Sequence, residues 1–348
     1  MRPLAARPFP STLPRLATAL ALATAMLAPL AASAVVIDWV TVGAPGNAAD
    51  TDPVNCGPSN ASPCGAVATP YKIGKYEVTN AQYAEFLNKV AATDTNELYS
   101  TYMDGETWGG ISRSGSSGSY SYAVKPGFES KPVTFVSFWD AARFSNWLQN
   151  GQPAGLQTSL TTEDGAYTLT PAAIAANSVL RNPTASVFLP SEDEWYKAAY
   201  YDPIASLYYD YPTGTNAIIN CVAPGGDTGN SANCGGAVNA LTDVGAYTLS
   251  DSPNGTFDQG GNLEEWTEQI KWGSDRGTLG GVWYADSSNL AAEDSYGNAV
   301  PSYFNDGIGF RVASVGEPSA PSIPEPSASL LFGTGLLVSV RAFRRRSR

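Results

Sequence analysis

The chain has 348 residues, of which 43% are hydrophobic, enough for one large domain or two small ones with a proper core. Its formal net charge is −12, and a negative surface repels phosphate backbones, so nucleic-acid binding is disfavoured and cation binding is favoured. The sequence contains no histidine. This excludes Ser-His-Asp hydrolysis, histidine-ligated zinc and the histidine-carboxylate iron sites.

The first 34 residues have the pattern of a secretory signal peptide. Three arginines and no acid precede an apolar stretch from Leu16 to Leu30, and Ala32, Ser33 and Ala34 form a small-x-small cleavage signature. A buried amphipathic helix is the alternative, but this run is apolar all round. The pattern therefore predicts export through the inner membrane and removal of residues 1–34.

Residues 35–70 are predicted to be an irregular lead-in, and the main domain is predicted to span 71–316. The sequence predicts a strand over Tyr71–Val78, followed by a helix that begins with a capping box at Thr79 and Gln82. It predicts a second strand over Pro132–Val136, and a second helix capped by Ser137. A capping box at Ser191 and Glu194 predicts a third, short helix.

The segment 201–260 is rich in glycine, asparagine and proline, so turns are expected to dominate it. Further strands are expected around Gly280–Tyr284 and Gly309–Ala313. The four cysteines form two sequence-local pairs, Cys56 with Cys64 and Cys221 with Cys234, which favours two short-loop disulfides in an exported chain. The sequence leaves the two other pairings open.

The C-terminal end has an unusual order of segments. After a linker over residues 317–323, segment 324–348 contains Pro-Glu-Pro, an uncharged stretch from Ser327 to Val340, and five arginines after it. This order resembles a PEP-CTERM sorting signal. The stretch is short for a bilayer core, which needs about 20 residues. We expect recognition by a sorting machinery, transient membrane anchoring and release to the cell surface or the extracellular space. A frayed hydrophobic tail would explain neither the Pro-Glu-Pro nor the arginines.

Six sequence blocks follow one another along the chain: YKIGKYEVTNAQY (71–83), PVTFVSFWDAA (132–142), FLPSEDEW (188–195), GGNLEEW (260–266), GGVW (280–283) and IGFR (308–311). In this order they resemble the formylglycine-generating enzyme, or sulfatase-modifying factor, family. The resemblance implies an α+β, C-type-lectin-like fold that is loop-rich, with short helices and small antiparallel sheets. In active members, a cysteine pair after the Gly-Gly-x-Trp block binds copper and carries out the oxidation. In this chain those positions are Ala285 and Leu290, which offer no thiolate, so no copper is expected.

The resemblance also implies a calcium site. Asp258 and Glu265 would be its side-chain ligands, and Gly261 and Leu263 would donate backbone carbonyls, a donor set that suits calcium. A second calcium would use Asn233 and the carbonyl of Cys234. Without a cation, the two acids would be surface carboxylates or a buried pair with Arg311.

Three functions follow from these observations. The first is a non-catalytic, calcium-stabilised binding or structural module, whose partner is an extracellular protein or polysaccharide. The segments Thr101–Gly127 and Asp286–Asp306 are its expected contact surfaces. The alternative is a formylglycine-generating oxidase acting on protein cysteine. Sugar binding through a lectin-type calcium triplet lacks the required motif, so it would need a different surface. Trp195, Trp266 and Trp283 are expected in the core rather than on a ligand platform.

Overall fold

The structure is a computed structural model that describes residues 34–56 and 63–316. The predicted linker, the sorting signal and all of the signal peptide except Ala34 lie outside the described residues. The described helices are α1 (Asn80–Val90), α2 (Tyr102–Gly105), α3 (Phe138–Gln149), α4 (Pro171–Ala175) and α5 (Glu192–Tyr200). Two short 3-10 helices span Pro224–Gly226 and Ser287–Leu290.

The strands in the described residues are mostly short and belong to five small sheets. They are β1 (Trp39–Val42), β2 (Tyr71–Gly74), β3 (Ile111–Ser114), β4 (Ser121–Val124), β5 (Val187–Phe188), β6 (Tyr201–Asp202), β7 (Leu207–Tyr208), β8 (Asn220–Cys221), β9 (Ser231–Ala232), β10 (Glu264–Lys271), β11 (Asp275–Leu279), β12 (Tyr296–Ala299), β13 (Ile308–Gly309) and β14 (Ala313–Val315). These elements confirm the predicted α+β, loop-rich fold with short helices and small sheets.

Two four-stranded sheets organise the described chain. The first has the order β1-β2-β14-β5 and is antiparallel throughout. The second has the order β12-β11-β10-β13, in which β10 and β13 run parallel. The predicted irregular lead-in contributes β1 to the first sheet, so this part of residues 35–70 is joined to the domain by strand pairing. Three two-stranded sheets complete the set: β3-β4, β6-β7 and β8-β9.

The three predicted helices are present because their N-terminal residues satisfy the free backbone N–H groups. Thr79, Ser137 and Ser191 each accept a hydrogen bond from the backbone of the third helical residue, and the side chain of that residue accepts one in return. The helices α1 and α3 then bury an aromatic cluster, in which Phe86 lies 5.3 Å from Phe144 between ring centroids. These capping predictions are confirmed.

Two predicted strands are wrong for local backbone reasons. The segment Pro132–Val136 forms a single bridge, at Pro132, because proline has no N–H to donate and Phe135 adopts a φ of +59°. The segment Gly280–Tyr284 is a turn after β11, since Gly280 and Gly281 adopt φ values of +109° and +70°. The hairpin β3-β4 lies within Thr101–Gly127, the first of the two predicted contact segments.

Within residues 34–56 and 63–316, no helix has the length and apolar character needed to cross a membrane.

Candidate functional site

The two positions that the family resemblance aligns with catalytic cysteines are apolar, with Leu290 buried and Ala285 partly buried. Ala285 follows the turn after β11 and packs in a cluster with Trp108 and Trp283. Leu290 ends the second 3-10 helix and is fully buried beside Cys234. A methyl and an isobutyl group have no atom that can ligate copper or act as a nucleophile.

A disulfide lies next to both of these positions. Cys221 and Cys234 are joined, and the backbone N–H of Gly235 donates to the carbonyl of Ala285 at 2.7 Å. Cys234 has no exposed surface and contacts Leu290. The second disulfide joins Cys56 and Cys64, so the predicted pairing is confirmed. No cysteine in the described residues is free.

The predicted ligand Glu265 forms a buried ion pair with Arg311. Both side chains have no exposed surface, and the guanidinium makes two hydrogen bonds of 2.6 Å to the two carboxylate oxygens. The indole N–H of Trp195 donates to the same carboxylate at 2.7 Å. Arg311 also donates to the carbonyls of Gly74 and Phe257, which joins β2 and the segment before β10 to this pair. The structure therefore agrees, for Glu265, with the alternative to calcium ligation that the sequence left open, a buried pair with Arg311.

Two more carboxyl groups, the buried Glu77 and the partly buried Asp258, act electrostatically on the same guanidinium. The charges of Glu77 and Asp258 both act on Arg311, together with that of Glu265. Burial raises the pKa of Glu77 well above its usual range, and the neighbouring Asp258 and Glu265 raise it further. Burial also raises the pKa of Asp258 to about 6, although the backbone N–H of Gly245 donates to its carboxylate. One guanidinium thus lies near three carboxyl groups, and the raised pKa values of Glu77 and Asp258 reduce the negative charge that these groups carry.

Asn233 lies beside the loop that contains Gly261. The backbone N–H of Asn262 donates to the carbonyl of Asn233 at 2.9 Å, and a Cβ added to Gly261 would lie 2.4 Å from that carbonyl oxygen. Only glycine therefore fits there, and its φ of +80° agrees. The structure brings Asn233, Gly261 and the buried Leu263 into one region.

Two buried oxygens in this region have no hydrogen-bond partner within the described part of the chain. They are Oε2 of Glu77 and Oδ1 of Asn233, and both side chains contact Asn262 through their other polar atom. Neither Glu77 nor Asn262 was singled out from the sequence. The sequence does contain one signal for Glu77: it is an acidic residue inside the predicted strand Tyr71–Val78, where burial of a charge would need a partner.

The oxygen-bearing residues of this region suit a hard cation chemically. The ion pair of Glu265 with Arg311, however, leaves little of this carboxylate free to bind one. Carboxylate, amide and carbonyl oxygens are the ligands that calcium prefers. Glu265 already accepts three hydrogen bonds, so about one lone pair remains for a cation. No group of three or more His, Cys, Asp or Glu in the described ranges is arranged to hold a metal ion.

The three predicted core tryptophans are buried. Trp195 and Trp266 have no exposed surface, and Trp283 is nearly covered. The indole of Trp266 donates to the carbonyl of Val136, so this side chain is satisfied inside the core.

The two predicted contact segments meet at a surface cleft. Tyr102 from the first segment and Phe304 from the second lie 6.0 Å apart between ring centroids. Both rings line two neighbouring cavities. The sequence indicated the segments but could not indicate that they touch, because some 200 residues separate them.

Comparison with solved structures places this fold among known ones. The crystal structure of CarF matches with a TM-score of 0.50 and 22% identity, over 81% of this chain and 99% of CarF. Treponema denticola variable protein 1 gives a TM-score of 0.47 and 17% identity, over 80% of this chain and 95% of its own. PvdO from Pseudomonas aeruginosa gives a TM-score of 0.44 and 18% identity, over 80% of this chain and 92% of PvdO. At these identities the likeness concerns the fold alone.

No curated protein matches the chain in a sequence search. Residues 41–315, however, match the FGE-sulfatase family, described as a sulfatase-modifying factor enzyme 1-like domain. That match covers most of the chain and includes the six blocks from Tyr71 to Arg311. The chain therefore belongs to the FGE-sulfatase family.

Proposed function

We propose that this protein is an exported, non-catalytic member of its family that acts as a calcium-stabilised binding or structural module. One observation carries the proposal: Ala285 and Leu290 occupy the positions of the catalytic cysteines, while all four cysteines of the chain are oxidised in disulfides. Copper oxidases of this type need thiolate ligands for Cu(I). No oxidation step can be assigned to the side chains present at these positions.

Calcium is proposed as a structural cation next to the Arg311 cluster. Asp258, with the carbonyls of Gly261 and Leu263, would hold it, and Glu265 would share its carboxylate between the cation and Arg311. Asn233 would serve a second cation through its unpartnered amide oxygen. Bound calcium would favour the charged forms of Glu77 and Asp258 and would fix the loop before β10.

Export is supported by features of the sequence and by the cysteines. Disulfides persist in oxidising compartments, and both pairs close short loops, with separations of 8 and 13 residues. Together with the signal peptide and the sorting tail, this favours a protein displayed at the cell surface or released outside the cell. Its proposed partners are an extracellular protein or polysaccharide, and the machinery that recognises the Pro-Glu-Pro tail.

The alternative function is an oxidase that converts a substrate cysteine to formylglycine. One observation favours it: the Cys221–Cys234 disulfide packs in the same buried cluster as Leu290, and Gly235, next to Cys234, donates to the carbonyl of Ala285. If this disulfide were reduced, two thiols would lie beside the positions of the catalytic pair.

The test separates these two functions. The purified segment 35–316 is incubated with a cysteine-containing sulfatase-type peptide, copper and oxygen, with and without reductant, and the aldehyde is sought by mass spectrometry. We expect no aldehyde in either condition. Aldehyde formed only with reductant, and lost in the Cys221→Ala and Cys234→Ala double variant, would establish the oxidase instead.

A further inference from the structure

We propose that the cleft between α2 and the segment before β13 binds a neutral oligosaccharide. This inference rests on the proposed role as a binding module and names the ligand of that module. The cleft consists of two cavities of about 450 Å³ and 380 Å³ that share Tyr102, Phe135 and Phe304. Sites for small ligands commonly enclose about 300–1,000 Å³, so each cavity can hold a ligand of one or two sugar rings.

Aromatic rings form the part of the cleft that the two cavities share. Tyr102 stacks on Phe135 at 5.8 Å between ring centroids, and Phe304 lies 6.0 Å from Tyr102. Tyr102 is 50% exposed and Phe304 is 37% exposed, so ring surface is open to solvent. Exposed ring faces of this kind contact the C–H faces of pyranose rings and contribute apolar burial. A sugar bound there would span both cavities.

A positioned arginine supplies hydrogen-bond donors in the larger cavity. The guanidinium of Arg113 lies between the rings of Tyr99 and Tyr120, at 4.6 Å and 4.3 Å from their centroids. Its Nη1 donates to Asp94 at 3.4 Å, and its side chain is 24% exposed. A guanidinium has five N–H donors, so donors remain for a ligand, and the stacking fixes their direction.

Acceptors stand next to these donors in the same wall. Glu97 lines the cavity together with Asp94 and the hydroxyl groups of Ser100 and Thr101. A sugar hydroxyl both donates and accepts, and adjacent hydroxyls are best bound where a donor and an acceptor are neighbours. The arrangement around Arg113 has this alternation.

The charges of the cleft disfavour other ligands. Anionic ligands would meet Asp94, Glu97 and Asp140 in the larger cavity, and Glu106 and Asp306 in the smaller one. A cation would be attracted by these carboxylates, but Arg113 already occupies the position over the rings of Tyr99 and Tyr120 where a cation would be most stable. A purely apolar ligand would leave the donors and acceptors unpaired. A neutral polyol with one apolar face can pack that face on the aromatic rings and pair its hydroxyl groups with Arg113 and the neighbouring carboxylates.

The experiment is isothermal titration calorimetry of the disulfide-intact protein in calcium-containing buffer. The probes are cellohexaose, mannohexaose and N-acetylchitohexaose as neutral oligosaccharides, hexagalacturonate as an anion, and an arginine-containing hexapeptide as a cation. The variants are Tyr102→Ala, Phe304→Ala and Arg113→Gln. The matched control is Tyr303→Ala, because Tyr303 is 45% exposed next to Phe304 but lines neither cavity in the described part of the chain.

We expect saturable binding of at least one neutral oligosaccharide. Its affinity should fall at least tenfold in Tyr102→Ala, in Phe304→Ala and in Arg113→Gln, and should be unchanged in Tyr303→Ala. The proposal is overturned if none of the neutral probes binds to protein with native circular dichroism, if the hexapeptide or hexagalacturonate binds instead, or if sugar binding survives all three cleft variants. None of these results bears on the aldehyde assay, which decides the non-catalytic role separately.

Discussion

The carboxylate of Glu265 and the guanidinium of Arg311 form a bidentate ion pair from which solvent is fully excluded, with two hydrogen bonds of 2.6 Å. Glu265 lies on β10 and Arg311 follows β13, so the pair joins two neighbouring strands of the second sheet. The same arginine reaches the carbonyls of Gly74 and Phe257. The pair therefore links parts of the domain that are far apart in sequence.

Breaking this pair should strongly destabilise the fold. The substitution Glu265→Gln leaves the buried charge of Arg311 without its partner, and we expect a loss of about 3–5 kcal/mol in the free energy of unfolding. Urea denaturation followed by circular dichroism measures it. The matched control is Glu85→Gln, which breaks a partly exposed helix pair with Lys89 and should cost only about 0.3–0.5 kcal/mol. Similar costs for both variants would contradict a structural role for the buried pair.

Calcium binding should appear as a chelator-sensitive melting temperature. We expect a chelator to lower the melting temperature of the wild type and to have no effect on Asp258→Asn, because ligand binding to the folded state stabilises it by mass action. Asp258 is a better test position than Glu265, since removal of Glu265 also leaves Arg311 unpaired. If the chelator leaves the wild type unchanged, Asp258 is an ordinary, partly buried acid and the cation proposal is wrong.

The buried carboxyl of Asp140 should make stability depend on pH. Burial raises the pKa of Asp140 to about 6, against the hydrogen bonds from Ser137. The folded state thus binds this proton more tightly than the unfolded state. The resulting stabilisation is complete below the unfolded pKa of about 4 and is lost as the pH rises through about 6, a change of at most about 3 kcal/mol.

The measurement for Asp140 is the difference in unfolding free energy between wild type and Asp140→Asn. We expect wild type to lose stability relative to the variant between pH 4 and pH 7. The substitution Asp251→Asn, at an exposed position, serves as the control and should not reproduce this trend. A difference that is constant with pH, or that grows in favour of wild type, would show that burial does not govern the titration of Asp140.

Removal of the two disulfides should have unequal effects. Loop closure alone predicts about 2–3 kcal/mol for each. The Cys221–Cys234 pair closes the longer loop, with a separation of 13 residues against 8, and Cys234 is fully buried. Double alanine variants measured by urea denaturation should therefore rank the Cys221–Cys234 pair as the more stabilising. The reverse order would mean that strain in the native state outweighs loop length.

The sequence predicted the helix starts well because they depend on local chemistry. The capping boxes that begin at Thr79 and Ser191 need only two side chains and one turn of backbone. The strand at Pro132–Val136 was mispredicted because its apolar pattern does not reveal the positive φ of Phe135, which tertiary packing imposes. A pattern of side chains reports burial more directly than it reports backbone conformation.

The candidate site was predictable in composition and less so in geometry. The family blocks identified Asp258, Glu265 and Arg311, but the sequence left open whether Glu265 holds a cation or the arginine. The contributions of Glu77 and Asn262 depend on contacts between segments some 185 residues apart. Such contacts exist only in the folded chain.

All four cysteines are joined in disulfides, so no thiol is available to hold a redox metal. A Cu(I) titration of the native, disulfide-intact protein, in competition with a chromophoric Cu(I) chelator under anaerobic conditions, tests this directly. We expect the protein to take no copper from the chelator, because Ala285 and Leu290 offer no ligand and Cys56, Cys64, Cys221 and Cys234 are oxidised. Stoichiometric Cu(I) binding with a thiolate absorption band would contradict the account.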